Sequence, residues 1–171
     1  MKLKKIGILF HPKVKATIAK AREVEQFLQK NSVDTWICSA WEPDDIAACI
    51  DGTELIVTVG GDGTILRAFH AIGDAAVPVT GINLGKLGFL AEIDAGDAVS
   101  QLEKLLNGSG WIDERSMLAI ELSSGNEAPR RFFALNDVSV GRGEVIRLVK
   151  IDVVINDMPF TTYRADAVVV A

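Results

Sequence analysis

Through the first hundred residues, short apolar runs alternate with stretches of helical periodicity. Residues 6–10 are apolar without alternation, the pattern of a strand covered on both faces. Ala21, Val24, Phe27 and Leu28 recur at helical spacing, and residues 33–38 return as a second strand. A short helix is predicted over 45–50, a third buried strand over 55–59, a helix over 64–72 and a fourth strand over 77–82, where Pro78 punctuates the loop. Val99, Leu102, Leu105 and Leu106 mark one more helix, which stops at Asn107, Gly108 and Gly110. Strand and helix in this succession predict an α/β fold with a Rossmann-like parallel sheet.

Beyond residue 110 the period changes from helical to two. Leu118, Ile120 and Leu122 alternate with polar neighbours, as do Val149, Ile151, Val153 and Ile155 with Lys150, Asp152 and Asn156, which predicts half-buried antiparallel sheet. The boundary falls near residues 107–111, giving an α/β domain over 1–108 and an all-β domain over 109–171. Asn156-Asp157 before Met158-Pro159 reads as a hairpin turn between two alternating runs. Residues 167–171 form an uncharged β run without a turn or a charged cap, and the expectation is a strand cut at its exit, left unpaired in an incomplete sheet.

Composition narrows the class. The 171 residues are 49% hydrophobic and 24% charged, with a mean hydropathy of +0.24, which excludes a disordered tail or a minimal disulfide scaffold. Against 23 acidic residues stand 18 Lys and Arg, for a net charge of −5, so no basic footprint for nucleic acid exists. Two cysteines, Cys38 and Cys49, point to a reduced, cytoplasmic protein, and no segment is long enough to span a bilayer. His11, His70 and the scattered Trp36, Trp41 and Trp111 suggest no metal site or stacking platform.

Candidate chemistry concentrates in Gly60-Gly61-Asp62-Gly63-Thr64, between the third strand and the helix predicted from Thr64. Three glycines permit a tight turn with positive φ values and let backbone N–H groups approach an anion, and the helix N-terminus adds partial positive charge. Asp62 is the anomaly. A carboxylate in a phosphate cradle repels its ligand unless it holds a metal or takes a proton from an attacking hydroxyl, the need of phosphoryl transfer. The alternative is a glycine turn whose Asp caps the following helix. The loop is neither a Walker A motif nor GxGxxG.

The spelling GGDGT resembles a kinase superfamily that contains NAD kinases, diacylglycerol and sphingosine kinases and, more distantly, phosphofructokinases. Within it, Gly81-Ile82-Asn83-Leu84-Gly85-Lys86-Leu87-Gly88-Phe89-Leu90 resembles the second signature of NAD kinases, Leu135-Asn136-Asp137 their Asn-Glu/Asp motif, and Arg164-Ala165-Asp166 a third element. Four motifs in the same order identify the chain as similar to the NAD kinase family. The stretch 81–90 would place Asn83 and Phe89 at the carboxyl edge of the sheet beside the GGDGT loop. Phe89 is read as a ring to stack on a base or as a core residue, and Asn83 as a phosphate or ribose ligand or as a turn residue. Asn136 and Asp137 are expected within a strand, on opposite faces, one of them turned inward.

The resemblance implies a phosphoryl transfer from ATP or polyphosphate to the adenosine 2′-hydroxyl of NAD, with a divalent metal, Mg²⁺. Asp62 would be the base, and Gly61, Gly63 and Thr64 its neighbours on the ligand. It implies NAD contacts for Asn136, Asp137, Arg147, Arg164 and Asp166, with Arg147 on the pyrophosphate and Asp166 on the nicotinamide side, against a surface-charge alternative for each. Arg67, one helical turn after Thr64, is read as a dinucleotide contact or a solvated helix face. A homo-oligomer, dimer or tetramer, is implied, and so are a Thr/Gly/Ser-rich loop and the rest of a β-sandwich beyond residue 171. The chain is therefore expected to be truncated, weakly active alone and prone to associate. The rivals are a GGDGT-type lipid kinase and a catalytically silent nucleotide-binding fragment.

Overall fold

In the computed structural model, residues 3–73, 75–85, 88–125, 127–141 and 148–171 are described. The chain divides into two compact units, Met1–Asp113 and Glu114–Ala171.

The first unit is a five-stranded parallel sheet with helices on both faces. In chain order its elements are β1 (Lys5–Phe10), α1 (Lys15–Lys30), β2 (Asp34–Ser39), α2 (Pro43–Cys49), β3 (Leu55–Val59), α3 (Asp62–Ile72), β4 (Val79–Asn83), β5 (Ile93–Asp94) and α4 (Ala98–Leu106). The strand order is β2-β1-β3-β4-β5. All five residues of β3 are buried, as are Ile6, Ile8 and Leu9 of β1, because helices cover both faces of these central strands. On α1 the residues Thr17, Ala21, Val24 and Leu28 are buried, spaced by four or three, and the last three pack with Ile6, Ile8, Val57, Ile82 and Leu102 in one cluster. Leu9, Ile46, Ile56, Ala68 and Ile72 form a second cluster, which includes residues of α2 and α3. The two-residue β5 carries too short a pattern to be foreseen, and α3 begins two residues before the expected Thr64.

The second unit is antiparallel throughout. It comprises β6 (Leu118–Leu122), β7 (Arg130–Ala134), β8 (Val138–Gly141), β9 (Val149–Ile155), β10 (Met158–Ala165) and β11 (Ala167–Val170), paired as β6–β7, β9–β10 and β8–β11. Along β9, Val149, Ile151 and Val153 are half-buried while Lys150 and Asp152 are exposed, the expected period of two. None of the described residues of this unit is fully buried. Asn156 and Asp157 have φ of 49° and 63° and join Ile155 to its partner Met158, so the expected hairpin turn is a two-residue turn with both residues left-handed. One expectation is corrected. The run at 167–170 is not unpaired, because Ala167 faces Gly141 and Val170 faces Val138 in the β8–β11 ladder.

Candidate functional site: the GGDGT loop and the seat of Asp62

The chain leaves β1 outward to β2 and returns on the other side of β1 as β3, so the strand order reverses between these two central strands. In open α/β sheets ligands collect at the carboxyl ends of the strands at such a reversal. The GGDGT loop leaves β3 there. His11 N–H donates to the Val59 carbonyl at 3.2 Å and Gly60 N–H to the Ile82 carbonyl at 2.9 Å, tying the ends of β1, β3 and β4 together.

None of the loop glycines has a positive φ, which corrects the expectation, and close approach within the chain requires a glycine only at Gly60. Among described glycines the positive values occur at Gly52, Gly73, Gly108 and Gly125. A Cβ on Gly60 would overlap Thr64 Oγ1, whereas Gly61 and Gly63 would meet nothing within 4 Å. The N-terminus of α3 is thus approachable along Gly61 and Gly63. Thr64 is buried, and its Oγ1 has no hydrogen-bond partner among the described residues.

Asp62 occupies the first position of α3 but makes no cap bond to its own helix, which removes the capping alternative. Its carboxylate reaches the second loop instead. Phe89 N–H donates to Oδ2 at 2.8 Å, and Leu90 and Ala91 N–H donate to Oδ1 at 3.1 and 3.2 Å. Partial desolvation opposes ionisation, but these three donors outweigh it and hold the carboxyl below its ordinary value of 3.8. The two signature stretches therefore meet through one side chain. Phe89 is 95% exposed, so the core alternative fails and its ring is open to a ligand. Asn83 is buried at the end of β4, and its Oδ1 accepts the Gly85 N–H at 3.0 Å, bracing the start of the same loop. Lys86 and Leu87 lie outside the described residues.

Arg67 is an exposed residue of α3, and its guanidinium carbon lies 4.2 Å from the centroid of the Trp41 ring. Trp41 in turn packs against His11 with centroids 4.3 Å apart. Trp41, one of the three scattered tryptophans, thus carries the Arg67 guanidinium on its ring. Sequence spacing hides this because the three residues follow β1, β2 and β3 and meet only when the sheet forms. Beside them lies a groove of about 460 Å³ lined by Ala40, Pro43, Gly63, Leu66, Arg67, His70 and Ala71. His70 donates from Nδ1 to the Leu66 carbonyl at 2.7 Å, a structural bond.

In the second unit, Asn136 and Asp137 are exposed in the β7–β8 connection. The expectation of a strand with one of them turned inward is corrected, since β7 ends at Ala134 and β8 starts at Val138. Arg164, on β10 opposite Lys150, and Asp166, between β10 and β11, are also exposed. The β8–β11 register puts Asp137 and Asp166 at opposite ends of one ladder, roughly 15 Å apart by strand rise. Arg147 lies outside the described residues.

Among the described residues no group of three or more His, Cys, Asp or Glu side chains converges for a metal. Three N–H donors leave Asp62 one open lone pair, on Oδ2, and no cluster of acidic side chains converges beside it among the described residues, so this donor set does not fit a resident Mg²⁺ held by protein carboxylates. Burial, with smaller contributions from Cys49, Asp45 and Glu42, pushes the Cys38 thiol up to about 12, which leaves no thiolate there. No helix among the described residues is long and apolar enough to cross a membrane.

Residues 31–110 match the ATP-NAD kinase N-terminal domain. The chain is 46% identical to an NAD kinase of Dehalococcoides mccartyi over 98% of its own length and 60% of that protein. It is 36% identical to an NAD kinase of Chloroflexus aurantiacus over 99% of its length and 61% of that protein. The chain thus spans about 60% of the length of these curated relatives. Yeast NADH kinase complexed with NADH shares the fold, with a TM-score of 0.86 at 23% identity over 99% of this chain and 57% of that one. The GGDGT loop at the sheet reversal and its tie to the second signature agree with these similarities, all of which are to NAD or NADH kinases.

Proposed function

We propose that the full-length protein carrying this sequence transfers a phosphoryl group from ATP or polyphosphate to the adenosine 2′-hydroxyl of NAD, making NADP. The observation that carries the reading is Asp62, a carboxylate placed at a helix N-terminus between two glycine-rich loops. Such a site attracts phosphate through its backbone, yet holds one group able to accept a proton. In the reaction the ribose O–H bond breaks, its proton passes to Asp62, and the ribose oxygen attacks the terminal phosphorus of the donor. The bond from that phosphorus to the leaving ADP or shortened polyphosphate then breaks.

Around this centre, Gly61, Gly63 and Thr64 frame the phosphate approach and Asn83 braces the second loop. Phe89 offers its open ring to a base, and Arg67, held on Trp41, is a cation at the same edge of the sheet. Asn136, Asp137, Arg164 and Asp166, with Arg147, are assigned to NAD. The roughly 15 Å between Asp137 and Asp166 suits opposite ends of an extended dinucleotide better than one mononucleotide. Mg²⁺ is assigned to the phosphates of the donor, the usual way this ion enters kinase sites. We read the enzyme as a cytoplasmic homo-oligomer.

A GGDGT-type lipid kinase is the second reading, and identity of 46% and 36% to NAD kinases speaks against it. The full-length protein is to be incubated with ATP, Mg²⁺ and, in parallel, NAD, diacylglycerol or sphingosine. NADP from the first mixture and no phospholipid from the others supports the proposal; phosphorylation of a lipid alone overturns it.

A further inference from the structure

Gly88 lies against the carboxylate of Asp62. A Cβ added there would overlap Oδ1, Cγ and Oδ2 together, so no side chain fits while Asp62 keeps its position. Directly after Gly88, three consecutive N–H groups converge on the same carboxylate. The far end of this seat is anchored. Ala91 is 3% exposed, and its Cα lies 3.2 Å from where a Cβ of Gly81, on β4, would stand. The seat is therefore fixed to the sheet at Ala91 and opens toward Phe89, whose side chain stands in solvent.

The donors divide unequally between the two oxygens. Oδ1 receives two N–H bonds, which fill the two in-plane lone pairs of a carboxylate oxygen. Oδ2 receives one and keeps a second lone pair. From this we infer that Gly88 is a positioning residue: its bare Cα and the N–H groups of Phe89, Leu90 and Ala91 fix Asp62 so that Oδ2 is the oxygen that receives the substrate proton. The inference rests on the role of Asp62 proposed above. A methyl group at 88 leaves every catalytic atom in place chemically but forces the carboxylate to swing out of its seat, and a displacement of about 1 Å at a reacting group costs on the order of 10²-fold in rate.

The test uses the full-length protein and a cycle of Gly88→Ala and Asp62→Ala. Gly88→Ala is expected to lower kcat by about 10²-fold while KM for NAD and for ATP stays within about threefold. In thermal unfolding, Gly88→Ala is expected to lower the midpoint in the wild-type background and to leave it unchanged in the Asp62→Ala background, where the obstructing carboxylate is gone. If Gly88→Ala alone does not fold, recovery of folding in the double variant supports the seat and failure to recover overturns it. Near wild-type kcat in Gly88→Ala, or an equal loss of midpoint in both backgrounds, also overturns it. Should the wild-type protein make no NADP, the functional reading fails while the unfolding cycle still decides whether Gly88 seats Asp62.

Discussion

The N–H of Phe89 meets Oδ2 of Asp62 at 2.8 Å, joining two residues 27 positions apart in the chain. With the bonds from Leu90 and Ala91 it stabilises the ionised carboxyl in the folded state more than in the unfolded chain. The folded-state pKa lies below the ordinary value of 3.8, so this stabilisation is complete above that value and disappears as the pH falls through the lower, folded value. Asp62→Asn retains one acceptor oxygen but turns an NH₂ toward an N–H donor. Its melting midpoint should lie below wild type at pH 7, with the gap closing as the pH falls below 3.8. A gap independent of pH would show that these bonds do not depend on the charge.

Arg67 and Trp41 form a pair that can be measured apart from turnover. A guanidinium over an indole at a partly exposed site contributes roughly 0.5–1 kcal/mol. A double-mutant cycle of Arg67→Ala and Trp41→Phe on unfolding free energy is expected to show a few tenths of a kcal/mol of coupling or more, since Phe is the weaker partner. Full additivity would show that the stacking has no energetic content.

Asp137 and Asn156 make a matched test in the second unit. If Asp137 accepts from a ribose hydroxyl, Asp137→Ala leaves that hydroxyl without its acceptor, at a cost of about 1–3 kcal/mol, and KM for NAD rises well above any change for ATP. The control at the hairpin must be Asn156→Gly, because φ of 49° would strain an alanine there. Asn156→Gly is expected to leave both KM values unchanged. Equal losses for NAD and ATP in Asp137→Ala would point to a folding defect in place of lost recognition.

The α/β half was legible because its strands are buried on both faces and its helices carry one apolar stripe: residues 55–59 coincide with β3, and Ala21, Val24 and Leu28 mark the buried face of α1. The hairpin at Asn156-Asp157 was legible for a different reason, since those two residue types tolerate positive φ. Asn136 and Asp137 were misplaced because the apolar residues before and after them mimic one continuous strand, while the chain bends at 135–136 and leaves both exposed. The seat of Asp62 and the stack of His11, Trp41 and Arg67 had no local signal at all. Backbone donors carry no residue identity, and the stacked residues follow three different strands whose neighbours are set only by sheet order.

The proton-accepting role of Asp62 is tested most directly by the kcat of NADP formation in the full-length Asp62→Asn protein, with NAD affinity measured alongside by titration. The amide has the same shape and cannot take the ribose proton. The expected result is a kcat lowered by about 10²–10⁴-fold with NAD affinity changed only a few-fold. A kcat near wild type would contradict that role.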